Sequence, residues 1–195
     1  MPAEHSGQNR RTALRTDAER TVHTILEAAE QLLARTPTAT MAQIAEAAGV
    51  SRTTVHRRFA TREALLDAMA ESALRQLRDA VEAADVDTAP PLVALHQATV
   101  NVLEVKLGRR IAFRHLSPTN QAAAAIQADL ARMSDAWFAR MRESGLIETE
   151  PSWARRVYYA LVNEAFQDTG GTDSHTLADR VVQTFLRGVA PGHPA

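Results

Sequence analysis

The sequence contains no cysteine, and this absence excludes several classes of protein. A chain without thiols has no disulfide scaffold, no iron–sulfur cluster, no thiolate zinc site and no cysteine nucleophile. Long apolar runs are also lacking. No stretch approaches the roughly 18–20 residues that a membrane-spanning helix needs, and the N-terminal segment has no apolar run typical of a secretory signal. We therefore expect a cytoplasmic protein without a membrane partner.

Motifs for catalysis and cofactor binding are missing as well. The sequence has no glycine loop for phosphate, no dinucleotide fingerprint and no Gly-x-Ser-x-Gly element. His96, His115 and His175 stand alone, and no His-x-x-x-His pair offers the spacing of a metal site. The acidic residues of the second half are scattered rather than paired. We therefore expect no enzymatic activity, no bound metal and no cofactor.

The residues that are present predict an all-α protein. Of the 195 residues 45% are apolar, and they recur at helical rather than strand spacing over about nine segments. The net charge of −1 conceals a local excess of positive charge, because the segment from Ser51 to Arg62 has four arginines and no acidic residue. Such a segment is either a solvated face or the footprint of a nucleic-acid contact.

Changes in pattern along the chain predict three regions. Residues 1–16 are polar, basic and without periodicity, and we expect a flexible N-terminal arm. Thr16 and Glu19 have the spacing of a capping box, and we expect the first helix to start there. Residues 17–63 contain short helices with clear start and stop signals, and we expect a three-helix head with a helix-turn-helix. Residues 64–195 carry longer amphipathic helices, and we expect a C-terminal ligand-binding and dimerisation domain. Thr61 is the expected cap of the first of these helices, and Ser117, followed by Pro118, and Ser152 are the expected caps of two later ones.

The head contains the strongest functional signal, a pair of short helices joined by a tight turn. Thr40 and Gln43 have the spacing of a capping box, Gly49 can adopt the positive φ that ends a helix, and Ser51 can cap the next one. The second helix of the pair exposes polar and basic side chains and is short enough to lie in a major groove. An ordinary helical hairpin with a solvated arginine face is the alternative. The caps in place and the long helix that follows Thr61 favour DNA binding.

The run TMAQIAEAAGVSRTTVHRRFATREALL, residues 40–66, resembles the DNA-binding signature of the TetR (tetracycline-repressor) family of transcriptional regulators. The Ile-Ala, Ala-Gly-Val-Ser, Phe and Glu-Ala-Leu-Leu elements recur at the family's spacing, and the resemblance covers about residues 18–70. The remainder is similar only in length and helical layout. The resemblance implies a homodimer that binds a palindromic operator through its heads. It also implies C-terminal helices that form a ligand pocket and a dimer interface.

Transferred by position, the resemblance implies a set of DNA-binding residues. They are Gln43, Ser51, Arg52, Thr53, Thr54, His56, Arg57, Arg58, Thr61 and Arg62. Arg52 and Thr53 are the implied base readers, whereas Thr54 and the other arginines are the implied phosphate contacts. Two positions depart from the family. His56 stands where Tyr is common and is shorter, and Arg62 stands where Lys is common and keeps the charge.

A ligand pocket is predicted around one helix of the second half. Met133, Trp137 and Met141 share one face of that helix, and such a face is either ordinary core or the wall of a cavity. The predicted pocket residues are Leu95, Thr99, Leu103, Phe113, Met133, Trp137, Met141 and Trp153. Polar side chains that could point into it are His96, His115, Asn163 and Glu164. The low aromatic content of 5% disfavours a broad stacking site for large planar compounds.

The last two predicted helices carry more apolar residues than one narrow stripe holds. A helix that is buried on two sides needs two partners, which are its own domain and another subunit. The resemblance implies the same arrangement, since the family dimerises through its last two long helices as a four-helix bundle. The predicted dimer-interface residues are Tyr158, Val162, Phe166, Val182 and Phe185.

The function expected from these patterns is that of a dimeric DNA-binding transcriptional regulator. We expect a repressor that a small, largely apolar effector releases from its operator. A first alternative is a DNA-binding regulator without a small-molecule ligand, controlled by a protein partner. A second is an all-α enzyme or carrier whose basic head is incidental. A cavity in the C-terminal region favours the effector, and a fully packed core favours the protein partner.

Overall fold

A computed structural model describes residues 4–117, 119–168 and 170–189. Within these ranges the chain forms α-helices and no strand. The helices are α1 (Glu4–Arg35), α2 (Met41–Ala47), α3 (Arg52–Arg58), α4 (Arg62–Glu82), α5 (Pro91–Gly108), α6 (Arg110–Arg114), α7 (Gln121–Glu143), α8 (Pro151–Phe166) and α9 (Ser174–Val189). The all-α prediction of about nine helices is confirmed for the described residues. No helix among them is long and apolar enough to cross a membrane.

The chain divides into two compact units within α4. The first unit comprises residues 1–69 and the second residues 70–195. The predicted boundary lay at residues 63 and 64, before most of this helix. The difference arises because Leu65 and Met69 of α4 are buried and belong to the first unit. The helix α4 is therefore continuous in sequence across both units.

The first unit is built from α1, α2, α3 and the start of α4. Its apolar core consists of residues that recur at helical spacing and are almost fully buried, namely Ile25, Ala29, Leu33, Ile44, Ala45, Val55, Phe59 and Leu65. Short helices such as α2 and α3 are marginal by themselves. Packing of α2 against α1 and α3 buries these side chains and stabilises the helix-turn-helix.

Helix α1 begins earlier than the sequence pattern predicts. We predicted a non-helical arm up to residue 16, with Thr16 as the helix start, but the helix begins at Glu4. No proline interrupts residues 4–15, since the nearest one is Pro2, and a helix can therefore continue through this segment. The absence of an apolar stripe in this segment misled the prediction, because periodicity reports burial rather than helicity alone.

The second unit surrounds a core of aromatic and aliphatic side chains. Trp137 and Phe138 of α7, Tyr158 of α8 and Phe185 of α9 form a cluster of edge-to-face and tilted ring pairs, with centroids 5.3–6.0 Å apart. Phe138 and Phe185 have no exposed surface. Helix α5 packs against α8 and α9, and α7 packs against α8.

Two helices of the second unit start at other residues than the sequence suggests. Ser117 was the predicted cap of α7, with Pro118 after it, but the helix begins at Gln121 and Asn120 caps it by accepting a hydrogen bond from the Ala123 amide at 3.0 Å. Pro118 lies outside the described residues. For α8 the predicted cap was Ser152. The cap is instead Glu150, because Pro151 lacks an N–H and fits the first helical position.

Candidate functional site

Helix α3 is held in place by local interactions at both of its ends. Ser51 caps it by accepting a hydrogen bond from the Thr54 amide at 3.0 Å. The turn before it depends on Gly49, whose φ of +66° lies in the left-handed region that other residues adopt with strain. Val55 is fully buried on its inner face. The opposite face of α3 is consequently turned to solvent.

The solvent face of α3 presents five of the ten predicted DNA-binding side chains. Arg52, Thr53, His56, Arg57 and Arg58 are all exposed. None of the three arginines forms an ion pair with another residue in the described ranges. A cluster of exposed arginines without carboxylate partners is available to bind phosphates and base edges.

Three other predicted DNA-binding residues, Gln43, Ser51 and Thr61, use their side chains to cap helices, and the Thr54 side chain bonds to one of them. The Thr40 amide and hydroxyl donate to Gln43 Oε1 at 2.9 and 3.1 Å, so the Gln43 oxygen is committed to the capping box of α2. The hydroxyl of half-buried Thr54 lies 2.8 Å from Ser51 Oγ. Thr61 accepts from the Ala64 amide at 3.1 Å and caps α4. The first-turn amides of α3 and α4 are close in sequence to the exposed arginines of α3. Anions bind favourably to such amides at the N-terminus of a helix.

Arg62 has different surroundings from the other arginines of the head. Its guanidinium donates to the carbonyl oxygens of Ala39 and of Pro37, the latter at 2.8 Å. Both carbonyls belong to the loop between α1 and α2, and Arg62 is half-buried. The predicted phosphate contact is thus engaged by the backbone of the head, and it ties the start of α4 to that loop.

The second unit contains a cavity of about 310 Å³ bordered by α4, α5, α6, α7 and α8. Its walls are mainly apolar and aromatic. The lining residues are Leu74, Leu77, Val81, Val102, Lys106, Phe113, Leu116, Gln127, Leu130, Ala131, Ser134, Trp137, Tyr158, Tyr159, Val162 and Asn163. The size lies at the lower end of the roughly 300–1,000 Å³ of small-molecule pockets.

The polar groups of the cavity wall are largely paired with one another. Thr99 donates to the Leu95 carbonyl at 2.6 Å, so the Tyr158 hydroxyl, 3.0 Å away, donates to Thr99. Burial raises the pKa of Tyr158 far above its usual range, and the phenol is neutral. The Ser134 and Tyr159 hydroxyls lie 2.5 Å apart.

Lys106 supplies the charged group of the cavity wall. Its ammonium donates to Asn163 Oδ1 at 3.1 Å and lies 5.0 Å from the ring centroids of Phe113 and Phe166. Burial lowers the pKa of Lys106 from its usual value, because the charged form loses part of its hydration.

The cavity includes only part of the pocket predicted from sequence. Phe113 and Trp137 line it, as does Asn163 among the polar candidates. The other predicted residues lie elsewhere: Leu95, Thr99, Leu103 and Met141 are fully buried in the core, Met133 packs against that core, and Trp153 is 53% exposed. On α5, one stripe of side chains is buried in the core. The neighbouring stripe, which contains Val102 and Lys106, lines the cavity. Six of the eight predicted pocket residues therefore lie outside this cavity.

Comparison with known proteins identifies the family. Residues 25–69 match the family described as bacterial regulatory proteins, tetR family. Over 174 residues the chain is 32% identical to the HTH-type transcriptional repressor LfrR of Mycolicibacterium smegmatis, an alignment that covers 88% of this chain and 91% of LfrR. The chain belongs to the TetR family. It is a DNA-binding transcriptional regulator, as the resemblance of its head implies.

Solved structures agree with this assignment. The crystal structure of the TetR-like regulator LfrR from Mycobacterium smegmatis in complex with proflavine matches with a TM-score of 0.70 and 31% identity, over 89% of this chain and 98% of that chain. The TetR-family regulator PfmR from Thermus thermophilus matches with a TM-score of 0.71 at 22% identity, over 84% of this chain and 97% of that chain, and shares the fold.

The dimer-interface residues predicted for this TetR-family chain face the inside of the protomer. Tyr158, Val162, Val182 and Phe185 are at most 6% exposed and belong to the core of the second unit. Phe166 packs edge-to-face on Phe113 with centroids 6.4 Å apart. On each helix the predicted stripe is the one that its own unit buries, which leaves little of its surface for contact with a partner subunit.

A second apolar stripe of α8 remains partly exposed. Trp153, Val157 and Leu161 are spaced four residues apart and lie beside the core stripe of α8. Trp153 is 53% exposed, while Val157 and Leu161 are half-buried. Leu161 and Thr184 of α9 border a surface groove between the two helices. We term Trp153, Val157 and Leu161 the α8 outer stripe.

Lys106 lines the cavity but was not among the pocket residues predicted from the sequence. A signal was available, since Lys106 is the single lysine of a chain whose 22 basic residues are otherwise arginines. Arginine and lysine differ in shape and hydration, so an isolated lysine among arginines is informative. Its partners Asn163 and Phe166 lie more than fifty residues away, and only the fold brings them together.

Proposed function

We propose that this chain is a homodimeric repressor that binds a palindromic operator and that a small effector releases. The observation that carries the DNA-binding part is the solvent face of α3, where Arg52, Arg57 and Arg58 are exposed without an ion-pair partner among the described residues. LfrR, the 32%-identical relative, is named a transcriptional repressor, which supports repression over activation. Because its target is DNA, the protein acts in the cytoplasm.

We assign the contacts of α3 by their position on the helix. Arg52 and Thr53 stand in its first turn and read base edges in the major groove. Arg57 and Arg58 stand in its last turn and bind phosphates. His56 is exposed between these groups and can donate a hydrogen bond to a phosphate or a base. Ser51 and Thr61 cap the helices whose first amides face the DNA backbone.

The effector part of the proposal is supported by the cavity of the second unit. Three of its lining residues, Leu74, Leu77 and Val81, belong to α4, the same helix that begins just after the recognition helix. A molecule that binds better when α4 is displaced would change the position of the head and weaken operator binding. LfrR has been crystallised with the small molecule proflavine, which also favours a small effector over a protein partner.

The dimer is proposed to form through α8 and α9, with the α8 outer stripe at its centre. This stripe replaces the residues chosen from sequence. Trp153, Val157 and Leu161 are apolar, and solvation of such a continuous row is unfavourable. A two-fold axis beside α8 would bury the row against its own copy and give a bundle of four helices.

The proposed function is tested by in vitro selection of bound DNA from random duplexes, using the full-length protein. We expect recovered sites with two inverted half-sites about one helical turn apart, because two heads related by a dyad read them. A variant that lacks the positive charge of α3, with Arg52, Arg57 and Arg58 all changed to Ala, is the control and should enrich no site. Equal enrichment by the variant, or sites without inverted symmetry, contradicts the proposal.

A further inference from the structure

The charge on the wall of the cavity in the second unit is not balanced. Lys106 carries a positive charge, and none of the lining residues in the described ranges is an aspartate or a glutamate. Lys106 also forms no ion pair with any described residue. A buried or half-buried ammonium without a carboxylate partner is unusual, since the free energy of desolvating the charge is not offset by an opposite charge.

The structure holds the ammonium of Lys106 at a defined place. Asn163 Oδ1 accepts one of its three hydrogen bonds at 3.1 Å. The rings of Phe113 and Phe166 lie 5.0 Å from Nζ, close enough for cation–π attraction to the charged form. Asn163 takes one of the three N–H donors of the ammonium, so two donors remain for a ligand.

A second wall residue, Trp137, has a buried N–H group without a partner among the described residues. The indole Nε1 of Trp137 is buried and has no hydrogen-bond partner in the described part of the chain, and Trp137 lines the cavity. Buried N–H groups are normally paired, because an unpaired one costs free energy. The charged donor that lines the cavity is therefore the ammonium of Lys106, and the wall also contains a tryptophan whose buried indole N–H has no partner among the described residues. A ligand that complements this wall carries a negatively charged acceptor.

We propose that the effector cavity takes a small apolar organic acid, with its carboxylate bound by Lys106 and its apolar body against the aromatic and aliphatic wall. The proposal rests on the proposed function and specifies its effector class. The carboxylate is the group that compensates both the charge of Lys106 and the unused donors. A body of one or two rings fits a cavity of about 310 Å³. A cationic molecule would place its charge beside Lys106 with no acidic lining residue to compensate it.

Three probes with the same ring system test this inference on the full-length protein without DNA. They are naphthaleneacetate, naphthaleneacetamide and naphthylmethylammonium, which carry negative, zero and positive charge at neutral pH. Titration calorimetry measures each affinity. We expect the acetate to bind about tenfold more tightly than the amide and the ammonium to bind most weakly. Equal affinities, tighter binding of the ammonium, or no saturable binding of the acetate up to its solubility limit overturns the proposal.

Two variants assign the effect to one side chain. Lys106→Met removes the charge while keeping an unbranched apolar chain, and it should weaken acetate binding about tenfold to a hundredfold while changing amide binding little. Lys106→Arg keeps the charge and should restore most of the affinity for the acetate. If Lys106→Met binds the acetate as well as the unchanged protein, the assignment is wrong.

These titrations also separate the two proposals. The charge preference of the unchanged protein needs no variant to fold, so it remains decisive if Lys106→Met is unstable. Because the titrations contain no DNA, a failure of charge selectivity leaves the selection of operator DNA unaffected. If the operator selection fails, the affinity of the cavity for the acetate can still be measured.

Discussion

Two arginines near the recognition helix show how surroundings decide the use of a side chain. Arg52, the first residue of α3, is exposed and forms no ion pair among the described residues. Arg62, the first residue of α4, is half-buried and donates to the Pro37 and Ala39 carbonyls. The same guanidinium is therefore free for DNA in one case and holds the head together in the other.

Replacement of Arg52 by alanine should relax sequence specificity. A bidentate contact from arginine to a guanine edge contributes about 1–3 kcal/mol of discrimination, so Arg52→Ala should lose this amount on the selected site and little on random DNA. Affinity for both DNAs, measured by fluorescence anisotropy, checks the prediction.

Arg57→Ala serves as the matched control for Arg52→Ala. We place Arg57 on a phosphate, so its loss should weaken binding to both DNAs alike. It should also reduce the slope of log affinity against log salt by about one unit for each head. If the two variants lose the same affinity on specific and random DNA, the division into base reader and phosphate contact is wrong.

Replacement of Arg62 by alanine should destabilise the protein as well as weaken DNA binding. The variant loses two charge-assisted hydrogen bonds to backbone carbonyls and leaves these partly buried acceptors unpaired, which should lower the free energy of unfolding by about 1–3 kcal/mol. Urea unfolding followed by circular dichroism measures this change.

The exposed Arg58 provides the comparison, and Arg58→Ala should change the free energy of unfolding by less than about 0.5 kcal/mol. Arg62→Lys keeps the charge but cannot reach both carbonyls with one planar group, so it should be intermediate. If Arg62→Ala is as stable as the unchanged protein but binds DNA more weakly, Arg62 acts as a simple phosphate contact.

At the scale of the element, α8 carries two neighbouring apolar stripes that differ in burial. Ala154, Tyr158 and Val162 are at most 4% exposed and face the core of their own unit. The α8 outer stripe lies next to them and is only partly covered. A helix with one buried stripe and one exposed apolar stripe is typical of a subunit interface.

A charge placed in the α8 outer stripe should yield monomers. In Leu161→Glu the carboxylate would be buried against its own copy, and two unpaired like charges at an interface are strongly unfavourable. Sedimentation velocity should show a dimer for the unchanged protein and a monomer for the variant at micromolar concentration. The monomer should bind the operator poorly, since each head alone makes few contacts.

Ala128→Glu is the control for this experiment. It adds the same charge at an exposed position of α7, outside the stripe, and should leave the dimer intact. Dimeric Leu161→Glu, or an unchanged protein that sediments as a monomer, contradicts the placement of the interface.

At the scale of the whole molecule, α4 is the element shared by the two units. Its first residues, with Leu65 and Met69 buried, belong to the unit that contains α3. Leu74, Leu77 and Val81 of the same helix line the cavity. We propose that a ligand in the cavity and DNA at α3 are coupled through this helix, because coupling requires one element whose state both ligands change.

Coupling of this kind must be reciprocal. If naphthaleneacetate, or a natural acid found later, weakens operator binding tenfold, then the operator must weaken binding of that acid tenfold. A tenfold effect needs about 1.4 kcal/mol of differential affinity between the two conformations. Calorimetry of the acid with and without operator, and anisotropy of the operator with and without the acid, give the two factors. An acid that binds equally well in both cases is not the effector.

Local rules were sufficient for the starts of three helices in the head and at its end. The starts of α2, α3 and α4 were predicted from Thr40, Ser51 and Thr61, and each side chain accepts the expected amide hydrogen bond. A cap acts within three residues, so its residues are visible in a short window of sequence. The starts of α7 and α8 were misplaced because Asn120 and Glu150 compete with serines close by.

The sequence by itself determined the helices, the turn at Gly49 and the basic face of α3, since each depends on residues close together in the chain. Only the tertiary structure decided which of two adjacent stripes faces the core on α5 and α8. Helical periodicity groups residues into faces, but the direction of a face depends on partners far away in sequence. The same reason explains Lys106, whose site exists only because α5 and α8 bring it beside Asn163.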